Sequence, residues 1–167
     1  MERIRKLLDP QFVAALDARS LDDLRDMKQQ CTDVEHAVSY SRRLAQARIE
    51  ILEAEQARRA RGGSIEELVA DLPEILGSDP GRAAPASARV SSAGGPPVEL
   101  RWPDGREDLI GDTTLANLPT LDDDELADSV VRLHDFEREL SDLRRELHGV
   151  IDVVEREIAA RQVAGTA

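Results

Sequence analysis

Two groups of polar residues share one spacing, and their types suit the capture of a phosphate-bearing ligand. The first group is Glu35, Ser39, Arg42, Gln46 and Glu50; the second is Glu137, Ser141, Arg144, His148 and Asp152, each 102 positions further on. Steps of 4, 3, 4 and 4 residues keep all five side chains on one side of an α-helix. Planar guanidinium forks match phosphate oxygens, and arginine can also give a paired bond to guanine O6 and N7. The carboxylate that ends each group accepts two donors at once, as the two N–H groups on a guanine Watson–Crick edge require. Serine and Gln46 supply bonds to phosphate or ribose. With the adjacent Arg43 and Arg145, the groups read as two halves of a site for a guanine-containing phosphate ligand.

A single Glu–Arg pair on a long helix is ordinarily a solvated surface contact worth little. Repetition of the serine and arginine at a constant offset is what separates this pattern from that background. The same offset also relates Asp22 to Asp124, Leu24 to Leu126, Asp26 to Asp128, Asp33 to Asp135, Ile49 to Ile151, Glu53 to Glu155 and Glu55 to Glu157. The residues leave a second reading open, a structural or adaptor coiled coil whose polar stripe meets a partner helix.

The elements that must carry these groups are two long helices. From Ser20, an N-cap residue followed by acidic side chains, no Gly or Pro interrupts the chain until Gly62-Gly63. Leu24, Met27, Cys31, Val34, Val38, Ser41, Ala45, Ile49 and Leu52 follow alternating steps of three and four, the heptad signature of a packed helix pair. The second helix, predicted over 120–162, has its seam at Leu126, Val130, Leu133, Phe136 or Leu140, Leu143, Leu147, Val150 or Ile151, Val154 and Ile158. Every stripe residue directly follows a seam residue in number, so the stripe flanks the seam, about 100° around the helix. Each seam needs cover along its whole length, which predicts an all-α, antiparallel coiled-coil hairpin. In it Arg42 faces the neighbourhood of Arg144, with a pseudo-two-fold axis close to the arginines. Self-pairing within one chain predicts a monomer.

The remaining organisation is simpler. Residues 1–19 hold a short amphipathic helix with Ile4, Leu7 and Leu8, broken near Asp9-Pro10. Residues 20–61 form the first long helix. Within 62–119, Ser64 and Glu67 make a capping box for a short helix to about Leu76, and 77–97 is Pro/Gly/Ser-rich and predicted to be disordered. Val98 to Ile110 suits either a small β-hairpin or an irregular cover over the helix pair. Residues 120–162 form the second long helix and 163–167 a tail. Gly149 marks either a close approach by a ligand or backbone, or a tolerated helix glycine.

Composition bounds the function. The four aromatics, Phe12, Tyr40, Trp102 and Phe136, are few for a globule of 167 residues but enough for a coiled coil of aliphatic seams. A net charge of −12 argues against direct nucleic-acid binding and suits a partner with a basic surface. The lone Cys31 and a charged rather than apolar start predict a cytoplasmic protein without a signal peptide, and no apolar run reaches bilayer length. His36, His134 and His148 lack the Glu-x-x-His pairing of di-metal bundles, so no metal is expected. There is no phosphate-cradling glycine loop or nucleophile elbow. A serine on an open helix face has no sheltered base, so no enzyme is expected.

The twin Glu-x3-Ser-x2-Arg-x3-Gln/His-x3-acid pattern resembles RsiG, the cyclic-di-GMP-binding anti-sigma factor family of streptomycetes and related actinobacteria. The stretches Arg3-Ile4-Arg5-Lys6-Leu7-Leu8-Asp9-Pro10 and Arg42-Arg43-Leu44-Ala45-Gln46-Ala47-Arg48-Ile49-Glu50-Ile51-Leu52 resemble it too. The resemblance covers 2–61 and about 122–162. It implies an antiparallel coiled coil that holds a cyclic-di-GMP dimer on the ten stripe residues. Loaded with ligand, such a protein sequesters a sporulation sigma factor of the WhiG type. Glu50 stands where the family pattern has Asp, and His148 where it has Gln; the first lengthens the carboxylate's reach and the second adds a titratable ring.

Overall fold

Apolar residues spaced at threes and fours build a helical hairpin. The computed structural model describes residues 1–77, 98, 100–102, 104–111 and 115–164. Helix α1 spans Glu2–Leu8, α2 Leu21–Arg61, α3 Ile65–Gly77 and α4 Asp123–Ala164, with 3-10 turns at Leu16–Ala18, Arg106–Ile110 and Leu118–Thr120. The two long helices, of 41 and 42 residues, are each about 60 Å long and pack together along their length. Their partners run in opposite order: Lys28 meets Glu155, Arg42 meets Glu137, His134 meets Glu53 and Arg59 meets Asp123. The pair is antiparallel, as the seams predict.

Every residue of the predicted α2 seam is buried, Ser41 included. On α4, Leu126, Val130, Leu133, Phe136, Leu140, Leu147 and Val154 are buried, and Leu143, Val150 and Ile151 pack against them half-buried. Each fully buried Leu or Val removes enough apolar surface to stabilise the pair by about 1.5–3 kcal/mol before entropy is counted. Glu55 continues the α2 seam as a carboxylate only 1% exposed, a position that apolar periodicity does not reveal.

The two long helices begin alike. Ser20 caps α2, its hydroxyl accepting from Asp23 N at 3.1 Å while the Asp23 carboxylate accepts from Ser20 N at 3.1 Å. One offset later, Asp122 accepts from Glu125 N at 2.8 Å and Glu125 accepts from Asp122 N at 3.0 Å. Both are reciprocal capping boxes, and each follows a 3-10 turn, Leu16–Ala18 or Leu118–Thr120. Helix α2 ends at Gly62, whose φ of 69° is the left-handed conformation glycine adopts without strain. Asp9 ends α1 in extended backbone, and Pro10 opens a run of turns.

One flank of the hairpin is covered. Helix α1 inserts Ile4 and Leu7 into the main core, and the Met1 ammonium donates to Arg101 O at 3.1 Å. Trp102 is buried edge-on against Phe136, with ring centres 5.0 Å apart. Arg106 stacks over the same ring at 5.6 Å and pairs with Glu139. Where the sequence allowed a hairpin or an irregular cover, Arg106–Ile110 is a 3-10 turn and the described residues hold no strand. Most of the segment expected to be disordered, 78–97, lies outside the described residues. No helix among the described residues is long and apolar enough to cross a membrane.

Candidate functional site

Eight of the ten stripe residues gather around two carboxylates. Glu35, on α2, accepts from Ser39 Oγ of its own helix at 2.7 Å and from Arg144 Nε of α4 at 3.1 Å. His148 Nε2 lies 3.3 Å from the same oxygen. Glu137, on α4, accepts from Ser141 Oγ of its own helix at 2.9 Å, from Arg42 Nη1 at 3.3 Å and from Gln46 Nε2 at 3.4 Å. Each carboxylate thus takes the serine one turn on from its own helix, and the arginine and the following Gln or His from the opposite one.

This exchange defines the pseudo-two-fold axis. The pairs 42–137 and 35–144 interconvert under the 102-residue offset, and the exchange centres on Ser39 and Ser141. The axis therefore lies close to Ser39 and Ser141, within about one helical turn of Arg42 and Arg144. Each arginine reaches across to a glutamate instead of facing the other arginine, which replaces cation–cation repulsion by two opposite-charge contacts.

Burial and bonding tune the first cluster. Burial pushes the Glu35 carboxyl up, but the Ser39 and Arg144 hydrogen bonds and the charges of His148 and Arg144 outweigh it, so its pKa falls below the ordinary carboxylate value. Glu35 is ionised at neutral pH and holds the Arg144 guanidinium. In the second cluster, Arg42 Nε and Gln46 Oε1 are buried with no hydrogen-bond partner among the described residues. A buried polar atom without a partner costs free energy that an acceptor or donor from a ligand can return.

Glu50 and Asp152 stand one turn beyond Gln46 and His148. Glu50 is half-buried, and Asp152 is exposed beside Glu155 and Arg156 in an open depression. Arg145 is exposed and turned to Asp142 at 2.8 Å, and Arg43 is exposed. The four cations expected in one cluster thus divide: Arg42 and Arg144 lean across the seam, while Arg43 and Arg145 point away. Gly149 is exposed, and a Cβ there would meet nothing within 4 Å, so no part of the described protein approaches it closely. Among the described residues, no group of three or more His, Cys, Asp or Glu side chains could hold a metal ion. The buried Cys31 thiol, pushed up to about 11 by desolvation, is a small core residue.

The arrangement can present two guanidiniums, two hydroxyls, an amide and an imidazole along one pseudo-symmetric face, with carboxylates at its ends. Sequence reasoning missed that the motif glutamates bond across the helix pair, because relative stagger is not encoded in the spacing on one helix.

No curated protein matches the chain. A family model described as RsiG-like matches residues 10–76 and 112–167, well over half of the sequence. The matched stretches contain both long helices, both capping boxes and all ten stripe residues. The chain belongs to the RsiG-like family.

Proposed function

We propose that this protein is a non-catalytic, ligand-gated anti-sigma factor. It takes up cyclic-di-GMP on the paired stripes and, when loaded, sequesters a WhiG-type sporulation sigma factor to repress transcription. The observation that carries the reading is the doubled cradle around Glu35 and Glu137, together with membership of the RsiG-like family. A pseudo-two-fold cradle suits a two-fold ligand or a stacked pair of them.

The residues divide the work by chemistry. Arg42, Arg144, Ser39 and Ser141 serve the phosphates, Gln46 and His148 the phosphate or ribose edge, and Glu50 and Asp152 the guanine N–H groups. Arg42 Nε and Gln46 Oε1, buried without partners, fit a ligand that brings both acceptors and donors. The net charge of −12 suits docking against a basic surface of the sigma factor. The protein acts as a cytoplasmic monomer in this reading.

The test is isothermal titration of the purified chain with cyclic-di-GMP, followed by capture of a WhiG-type sigma factor with and without ligand. Saturable heat near two dinucleotides per chain, and capture only when ligand is present, are the expected results. Absence of heat would return the stripe to the adaptor reading.

A further inference from the structure

The two halves of the stripe share a plan but differ in how their arginines are held. Arg144 uses Nε to bond Glu35, and its two terminal amino groups meet no acceptor among the described residues. Its side chain is 44% exposed, and the neighbouring His148 side chain is 47% exposed. Arg42 is 26% exposed and uses a terminal group, Nη1, to bond Glu137. Its Nε and the Gln46 amide oxygen are buried without partners. One half therefore offers a free guanidinium fork in a fixed plane. The other has its fork engaged and two polar atoms sealed from solvent.

We infer that the stripe fills in order, with the Arg144–His148 half as the entry half and Glu35 as its positioning residue. The inference rests on the proposed reading that the stripe binds a phosphate-bearing ligand. A terminal amino pair is the face of arginine that grips phosphate with two parallel bonds. The Nε bond to Glu35 holds that face outward, so less freedom is lost when an anion arrives. The Arg42 half cannot offer a fork until Nη1 leaves Glu137. Its occupation is a second step, in which the ligand replaces the Glu137 contact and supplies partners to Arg42 Nε and the Gln46 amide oxygen. The difference between Nε and Nη1 as the bonding atom at equivalent positions, with the difference in exposure, converts a symmetric motif into an ordered site.

The full chain, with ¹⁵N-labelled arginine, decides the matter by NMR of the Arg42 and Arg144 Nε–H signals. The probes are cyclic-di-GMP and, separately, inorganic pyrophosphate. Arg144 should shift at a ligand concentration several-fold below that which moves Arg42. Glu35→Ala should weaken the first step about tenfold, and Glu35→Gln, which keeps an acceptor for Nε, should restore most of it. Simultaneous shifts, Arg42 moving first, or no rescue by Gln would overturn the ordered site. Ordered filling by pyrophosphate without any response to cyclic-di-GMP would discard the guanine reading and keep the order. Silence of both signals with both probes would discard the two together.

Discussion

Arg59 and Arg161, 102 positions apart, close the two ends of the hairpin in the same way. Arg59 Nε bonds Glu55 at 2.6 Å, and its terminal amino groups donate to Leu121 O and Leu118 O at 2.8 and 3.2 Å. Arg161 Nε bonds Glu157 at 2.7 Å, and its terminal amino groups donate to Arg19 O and Leu16 O. In both cases the arginine ends one long helix and satisfies the turn that leads into the other. The carbonyls themselves are related by the same offset, so the pseudo-symmetry of the stripe extends to both tips of the molecule.

The two clamps should differ in strength. Glu55 is 1% exposed and also bonds Arg58 at 2.6 and 2.7 Å, whereas Glu157 is 30% exposed. Removing one partner from a buried charged set is far more costly than trimming a solvated pair. Arg59→Ala should destabilise the fold by about 3 kcal/mol and Arg161→Ala by about 1 kcal/mol. Urea unfolding midpoints compare them directly, and equal losses would contradict the assignment.

Acid should unfold the protein partly through Glu55. The Arg58 hydrogen bonds, acting with Arg59 against burial, hold its pKa down to about 2, below the ordinary 4.5. A carboxylate with a depressed folded pKa contributes its full stability above the unfolded value and loses it as pH falls toward the folded one. Stability should therefore decline from about pH 4.5 to about 2, with Glu35 adding in the same direction. Thermal unfolding of Glu55→Gln should start from a lower melting temperature at pH 7 and fall less steeply across this window. A parallel decline in both proteins would assign the acid sensitivity elsewhere.

Ligand capture should depend on Arg42 and Arg144 more than folding does. Both flank the seam, at 26% and 44% exposure, so truncation leaves little cavity. Arg42→Ala with Arg144→Ala should weaken cyclic-di-GMP binding by about two to four orders of magnitude, from charged hydrogen bonds worth roughly 1.5–3 kcal/mol each. The circular dichroism of the helices should be unchanged. A double variant with wild-type affinity would sink the proposed site.

Gly149 separates packing from binding. An added Cβ meets no atom within 4 Å and the residue lies within α4, so Gly149→Ala should stabilise the helix by about 0.5–1 kcal/mol. If the bound dinucleotide passes close to this backbone, the same methyl group will lower affinity while raising the melting temperature. Loss of stability on this substitution would show a close neighbour where the described residues leave space.

The helices, their seams and the spacing of the stripe were legible in the order of residues alone. Periodicity, caps and glycine stops are local properties, and Leu24, Val38, Leu52, Leu133 and Leu147 were legible as core because each repeats on one helix face. The resemblance of the twin motif pointed to the family. Packing of the helices sets what the spacing leaves free: the stagger of α2 against α4. That stagger gives Glu35 to Arg144 and Glu137 to Arg42, puts the axis at Ser39 and Ser141, and sends Arg59 and Arg161 to carbonyls some 60 and 140 residues away in the chain. It also makes Glu55 a buried anchor and seats Trp102 on Phe136. An apolar heptad seam does not by itself name its register; in the fold the long-range charged bonds, the capped turns and the cover over Phe136 accompany the one adopted.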